Sequence, residues 1–137
     1  MKDVFVLDSF ALMAYFQKEP GSLSVESFIR KAKDEQCLLK LSLINWGEIY
    51  YNTARTEGEA IAVDAWTWIE QLPIILVDVD RNLIIQASYL KAKYSVAYGD
   101  CFAAALAKRE QAPVITGDPE FHKLSKEVSI HWIGHSS

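Results

Sequence analysis

The stretch Val4-Phe5-Val6-Leu7-Asp8-Ser9-Phe10-Ala11-Leu12 decides how this chain is read. An apolar run with two valines fits a short buried strand. Asp8 ends it, and Ala11, Leu12, Tyr15 and Phe16 then follow at helical spacing. A strand that runs directly into a helix opens a βαβ unit. The same grammar returns later, where Pro113-Val114-Ile115-Thr116-Gly117 ends on Asp118.

Working outward, short apolar strands alternate with helix-like stretches, which predicts an α/β fold with a parallel sheet. Strands are expected at about 3–8, 37–41, 73–77, 114–116 and 129–133. Helices are expected at about 9–17, 24–33, 43–56, 59–71, 81–94 and 99–109, and a short one is expected after Asp118. Ser42 and Asp80 stand where helix N-caps belong, and Gly58 and Pro73 where helices stop. The Ala103-Ala104-Ala105 run is small enough to let its helix pack close to the sheet. In an open parallel sheet, ligands collect at the carboxyl ends of strands. Asp8 and Asp118 are both placed there.

The chain has 137 residues and is half apolar, so a single domain over 1–137 with one core is expected. Its longest apolar stretches are strand-sized, and its start lacks the long apolar region of a signal peptide, so a cytoplasmic protein is expected. Cys37 and Cys101 lie far apart with no CxxC pattern and read as buried thiols. The formal net charge of −4 argues against electrostatic coating of nucleic acid. It does not exclude a nucleic-acid substrate, because a cation bound by clustered carboxylates inverts the local charge.

Four acids stand out, and each has an ordinary explanation. Asp8 can be a helix cap, Glu48 and Asp100 first-turn acids, and Asp118 the opener of an Asp-Pro turn. Glu48, however, is flanked by large apolar residues in Leu43-Ile44-Asn45-Trp46-Gly47-Glu48-Ile49, an unusual place for an unpaired carboxylate. Strand-end and helix-start acids can converge at one edge of the sheet, and hard divalent cations prefer such oxygen ligands.

Together these segments resemble the PIN-domain ribonucleases. Val6-Leu7-Asp8-Ser9 is similar to that family's opening, Asn45-Trp46-Gly47-Glu48-Ile49 to its second acidic site, Tyr98-Gly99-Asp100-Cys101-Phe102-Ala103 to its third, and Ile115-Thr116-Gly117-Asp118-Pro119 to its fourth. The small size resembles the VapC-like toxin branch of toxin–antitoxin modules. The resemblance implies a three-layer α/β/α sandwich around a central, mostly parallel sheet. It implies Mg²⁺ or Mn²⁺ held by Asp8, Glu48 and Asp100, with Asp118 completing the pocket. It further implies that Ser9 and Thr116 orient acids or substrate, and that RNA, an antitoxin protein and a second copy of the chain are partners. Gly99 departs from the Ala common before the third acid, which predicts a looser helix start.

Metal-free RNA cleavage would want histidines as acid and base. His122, His131 and His135 all lie outside the four segments. Arg81, Lys91, Lys93, Lys108, Arg109, Lys123 and Lys126 are the cationic residues considered for gripping RNA, against the plainer reading of solvated helix faces. Trp46, Tyr50, Tyr51, Trp66 and Trp68 are either core or interface. Haloacid dehalogenase chemistry would need a second Asp where Phe10 stands, and a phosphoacceptor receiver would need an acidic pair with a strand-end Lys. The remaining rival is a non-catalytic binding module with an acidic pocket. It must explain how close carboxylates coexist without a cation or shared proton.

Overall fold

The computed structural model describes residues 2–134. Its strands are β1 (Asp3–Leu7), β2 (Cys37–Ser42), β3 (Ile74–Val77), β4 (Val114–Thr116) and β5 (Ile130–Trp132). The helices are α1 (Ser9–Phe16), α2 (Ser22–Lys33), α3 (Leu43–Glu57), α4 (Glu59–Gln71), α5 (Arg81–Lys93) and α6 (Tyr98–Glu110), followed by a 3₁₀ helix at Pro119–Leu124. All strand pairs are parallel, in the order β3-β2-β1-β4-β5. The predicted mostly parallel sheet is therefore wholly parallel, and the three-layer α/β/α arrangement is the one found.

The pleat sorts the strand residues onto two faces. Val4, Val6 and Val114 face one core with α5 and α6, built on Leu83, Ala87, Leu90, Phe102 and Leu106. Phe5, Leu7, Leu39, Leu41 and Ile115 face the other, against α1–α4, with Leu12, Val25, Ile49 and Ile69. This division follows from the strand order. The chain moves outward from β1 to β2 to β3, then crosses back to β4 and β5. Right-handed crossovers in opposite directions put their helices on opposite faces. The order reverses between β1 and β4, the point at which open parallel sheets place a ligand crevice beyond the strand ends.

Local chemistry sets the element limits. The Ser42 hydroxyl accepts from the Ile44 amide at 3.2 Å, and the Asp80 carboxylate accepts from the Leu83 amide at 2.8 Å, so both predicted caps are present. α2 begins at Ser22, ahead of its expected start near Ser24. Gly21 at φ 97° turns the chain into it, a left-handed conformation that favours glycine. The alanine run of α6 is completely buried between the sheet and α5.

The stacked pair Trp46–Trp66, with centroids 3.9 Å apart, joins α3 to α4, and the Trp66 indole donates to the Trp46 carbonyl at 2.8 Å. Tyr50 packs on the same Trp66 ring at 4.4 Å. Those aromatics are packing, whereas Tyr51 and Trp68 are exposed. Most of the basic residues considered for RNA are committed elsewhere. Arg109 pairs with Asp80, Lys91 donates to the Val96 carbonyl, Lys123 pairs with Glu120, and Lys93 and Lys108 pair with Glu127. Tyr94 also donates to Glu127, at 2.6 Å.

Glu127 thereby ties α5 and α6 to the segment after the 3₁₀ helix. The Lys108 and Tyr94 hydrogen bonds hold its carboxyl down at about 2. A depressed pKa contributes stability above the unfolded value and loses it as pH falls. Glu127→Gln is expected to cost about 1–2 kcal/mol at neutral pH, the lysines being largely exposed. The gap to wild type should close as pH falls from the ordinary 4.5 through about 2, a trend that urea unfolding across that range measures.

Candidate active site

Asp8 follows β1 in the centre of the sheet, is 2 % exposed, and is the N-cap of α1. One carboxylate oxygen accepts from the Ala11 amide at 2.8 Å, and the other from the Thr116 hydroxyl at 2.5 Å. Thr116 is the last residue of β4, and the β1–β4 register, which pairs Leu7 with Ile115, brings it level with Asp8. Its hydroxyl gives its proton to Asp8 and accepts from the Asp118 amide at 3.0 Å. Asp118 in turn caps the 3₁₀ helix, accepting from the Glu120 amide at 3.0 Å. The cap reading of Asp8 and the turn reading of Asp118 thus both hold. A carboxylate oxygen that accepts one hydrogen bond keeps a lone pair.

Asp100 lies in the first turn of α6 and Glu48 in the second turn of α3. Glu48 Oε1 accepts from the Ser9 hydroxyl at 3.1 Å and from the Asn45 side-chain amide at 2.8 Å. That amide also donates to the Gly99 carbonyl at 3.1 Å. Side-chain hydrogen bonds therefore join the start of α1 to α3 and α3 to the start of α6.

The charges tell the same story. Burial raises Asp8 to about 8 against the lowering effect of Thr116 and Ala11, and the charges of Asp100 and Asp118 raise it further. Burial raises Asp100 to about 7, with added repulsion from Asp118, Glu48 and Glu120. No cationic side chain contributes to either shift. Four predicted acids are gathered in one electrostatic neighbourhood, and Glu120 joins them as an acid the sequence reading passed over. Among the described residues, no three His, Cys, Asp or Glu side chains close around a single point as a ligand cage. The donor set is nonetheless all oxygen and all anionic, without a side-chain counterion, which fits a hard divalent cation.

Asn45 was missed, and Gly99 was noted for a different reason. Asn45 is completely buried, three positions before Glu48, and only its tertiary contacts distinguish it from an ordinary helix asparagine. Gly99 was expected to loosen the start of α6, yet its φ is not left-handed and the helix begins before it, at Tyr98. Its missing side chain is what matters, because a Cβ there would overlap the Glu48 carboxyl group. The histidines stand apart, His122 stacked on Trp132 and His131 against Phe28. His135 lies outside the described residues.

Residues 5–127 match the PIN domain family. The chain belongs to the PIN-domain family. No curated protein matches it in sequence. Among solved structures, it is similar to VapBC2 from Rickettsia felis bound to a fragment of its promoter DNA, with a TM-score of 0.76, 14 % identity, and coverage of 95 % of this chain and 98 % of the other. DNA-bound VapBC from Salmonella typhimurium gives a TM-score of 0.72 at 17 % identity, covering 96 % and 98 %. VapC20 of Mycobacterium tuberculosis, described as a Sarcin-Ricin loop cleaving toxin, gives 0.70 at 17 % identity, covering 93 % and 98 %. At these identities the likeness establishes the fold this PIN domain shares with them.

A carboxyl with a raised folded-state pKa binds its proton more tightly in the fold, so its stabilising effect is full below the ordinary 3.8 and is lost as pH rises through the folded value. In EDTA, the protein is therefore expected to lose stability as pH climbs through about 7 and 8, the values of Asp100 and Asp8. Asp8→Asn, which keeps a good capping residue, should flatten the upper part of that fall and be the more stable form above pH 8. Urea unfolding across the range, with and without the substitution, checks the sign.

Proposed function

We propose that this PIN domain, one domain over residues 1–137, is a divalent-cation-dependent endoribonuclease and the toxin of a toxin–antitoxin pair. The observation that carries the reading is the gathering of acids at the β1/β4 switch point, where burial first and neighbouring carboxylates second raise Asp8 and Asp100, with no cationic side chain to relieve them. Asp8, Glu48, Asp100 and Asp118 would hold Mg²⁺ or Mn²⁺. A cation bound there supplies activation of water and neutralisation of charge on a scissile phosphate.

The chain's own residues prepare this chemistry. Thr116 and the Ala11 amide fix the direction of Asp8, and Ser9 and Asn45 fix that of Glu48. Asp100 stands in the first turn of α6, close enough for its charge to act on Asp8 and for that of Glu48 to act on it. Hydrolysis would add water to phosphorus and break its bond to the ribose 3′ oxygen, leaving a 5′ phosphate and a 3′ hydroxyl. No helix among the described residues is long and apolar enough to cross a membrane; cytoplasmic RNA is the proposed substrate.

A groove of about 720 Å³ between α1, α2 and α4 supports the antitoxin part of the reading. It is lined by Tyr15, Phe16, Leu23, Trp68 and Leu72, and none of the four acids lines it. Leu23 is 79 % exposed and Trp68 51 %, an apolar face suited to a partner helix. Self-association is assigned to a different face. Ile84, Ile85 and Tyr89 on α5 are exposed, and Ser88 hydrogen-bonds Tyr98 beside them at 3.3 Å. Ile85→Asp is expected to convert a dimer to a monomer in sedimentation analysis, and a wild-type monomer would remove that assignment.

Purified protein should cut RNA into discrete fragments with Mn²⁺ or Mg²⁺. EDTA should abolish cutting, and Asp100→Asn should reduce it by about 100-fold or more, the scale of losing one electrostatic group at a reacting phosphate. Folded, metal-loaded, antitoxin-free protein that leaves every host RNA intact would favour the non-catalytic binding module instead.

A further inference from the structure

We infer that Asn45 and Gly99 form the seat that holds the Glu48 carboxylate, and that this seat sets how tightly the crevice binds a divalent cation. The inference rests on the metal-dependent reading above and assigns roles to two residues outside the four acids. Both are positioning residues, since both act on Glu48 through direct contact and neither supplies a carboxylate.

Asn45 has two amide N–H groups, and both are spent: one on Glu48 Oε1 at 2.8 Å, the other on the Gly99 carbonyl at 3.1 Å. That pattern fixes the amide's orientation, because its oxygen cannot face two acceptors. The consequence is that Asn45 Oδ1 is buried with no partner among the described residues. Fold stability alone does not favour an orphaned carbonyl in a residue with no exposed surface. An apolar side chain of similar shape would fill the same space without an orphan oxygen, but would leave Glu48 and the Gly99 carbonyl without this donor. What the amide provides in return is a fixed link from α6 through α3 to the Glu48 carboxylate.

Gly99 completes the seat by absence of bulk. The Cβ of any other residue would overlap the Glu48 carboxyl group, with even the farther oxygen only 2.6 Å away. The backbone there does not need glycine for its conformation, as its φ is not in the left-handed region. Glycine is instead what lets the carboxylate lie against the first turn of α6, one residue from Asp100, whose pKa Glu48 helps to raise. Ser9 closes the third side at 3.1 Å. With alanine at 99, the flexible Glu48 side chain would have to leave this position.

The test uses Asn45→Leu and Gly99→Ala in the full chain. Mn²⁺ affinity is read by titration calorimetry, and Mn²⁺ electron paramagnetic resonance reads the ion's surroundings. Each variant should bind Mn²⁺ about 10-fold to 100-fold more weakly than wild type, the usual cost of losing a group that orients a metal ligand. Gly99→Ala should unfold in EDTA at the wild-type temperature or above it, since Ala is the better helix former. In a Glu48→Ala background, Gly99→Ala should change the affinity by less than about 2-fold, because the residue through which it acts is gone.

Wild-type affinity in both variants overturns the inference while leaving the metal site intact. So does an equal loss from Gly99→Ala with and without Glu48. If Asn45→Leu fails to fold, the Gly99→Ala cycle decides alone. A wild-type protein that binds no Mn²⁺ overturns the proposed function, and this inference with it.

Discussion

Asp8 buries a carboxylate at the end of the central strand, with one oxygen on the Ala11 amide and the other on the Thr116 hydroxyl. A charge so placed is costly unless it is hydrogen-bonded or neutralised. Much of the crevice follows from meeting that cost. β4 must lie next to β1 so that Thr116 can reach Asp8, and α1 must begin at Ser9 so that the Ala11 amide is free to donate. The threonine hydroxyl has one proton, and giving it to Asp8 leaves a lone pair for the Asp118 amide. In this way one buried acid directs the next. The hydrogen bonds lower the Asp8 pKa without overcoming burial, so the group stays raised to about 8. The crevice therefore competes for protons near neutrality, and a divalent cation would have to displace them.

Much of this architecture was legible in the residues because it rests on local rules. Val4 to Leu7 announces a buried strand, and Asp8, Ser42 and Asp80 cap the helices that their positions in the sequence assign them. The βα alternation implies parallel strands, and parallel strands imply a switch point with its crevice. The four acids were visible for the same reason, since each sits at a strand end or a helix start. What stayed hidden depends on tertiary neighbours. Asn45 is read as a polar helix residue until α6 is placed against it. Gly99 is read as a backbone device until Glu48 is found where its side chain would be. The basic residues looked free for RNA because nothing local revealed Glu127, which collects Lys93, Lys108 and Tyr94 from elements far away in the chain.

The aromatic residues of α3 and α4 show how one composition serves two ends. Trp46, Tyr50 and Trp66 close on one another and fasten the helix that carries Glu48. Trp68, two residues on in α4, meets Phe16 at 5.7 Å and then opens onto solvent. Helical periodicity alone separates the two roles, because residues two apart on a helix point to different sides. Rigid packing behind Glu48 and an open apolar groove are thus produced by neighbouring positions of the same helix.

The bond between Thr116 and Asp8 joins residues separated by 108 positions in the chain. An amino-terminal fragment lacking β4 has neither Thr116 nor Asp118, and Asp8 in it has no hydroxyl to orient it. During synthesis the first strand, its acid and most of the helices emerge well before β4 does. The crevice is consequently among the last features to assemble on a growing chain. A truncated or stalled product would carry most of the hydrophobic core without the pocket. The order of translation thus withholds the site from every unfinished form of the chain.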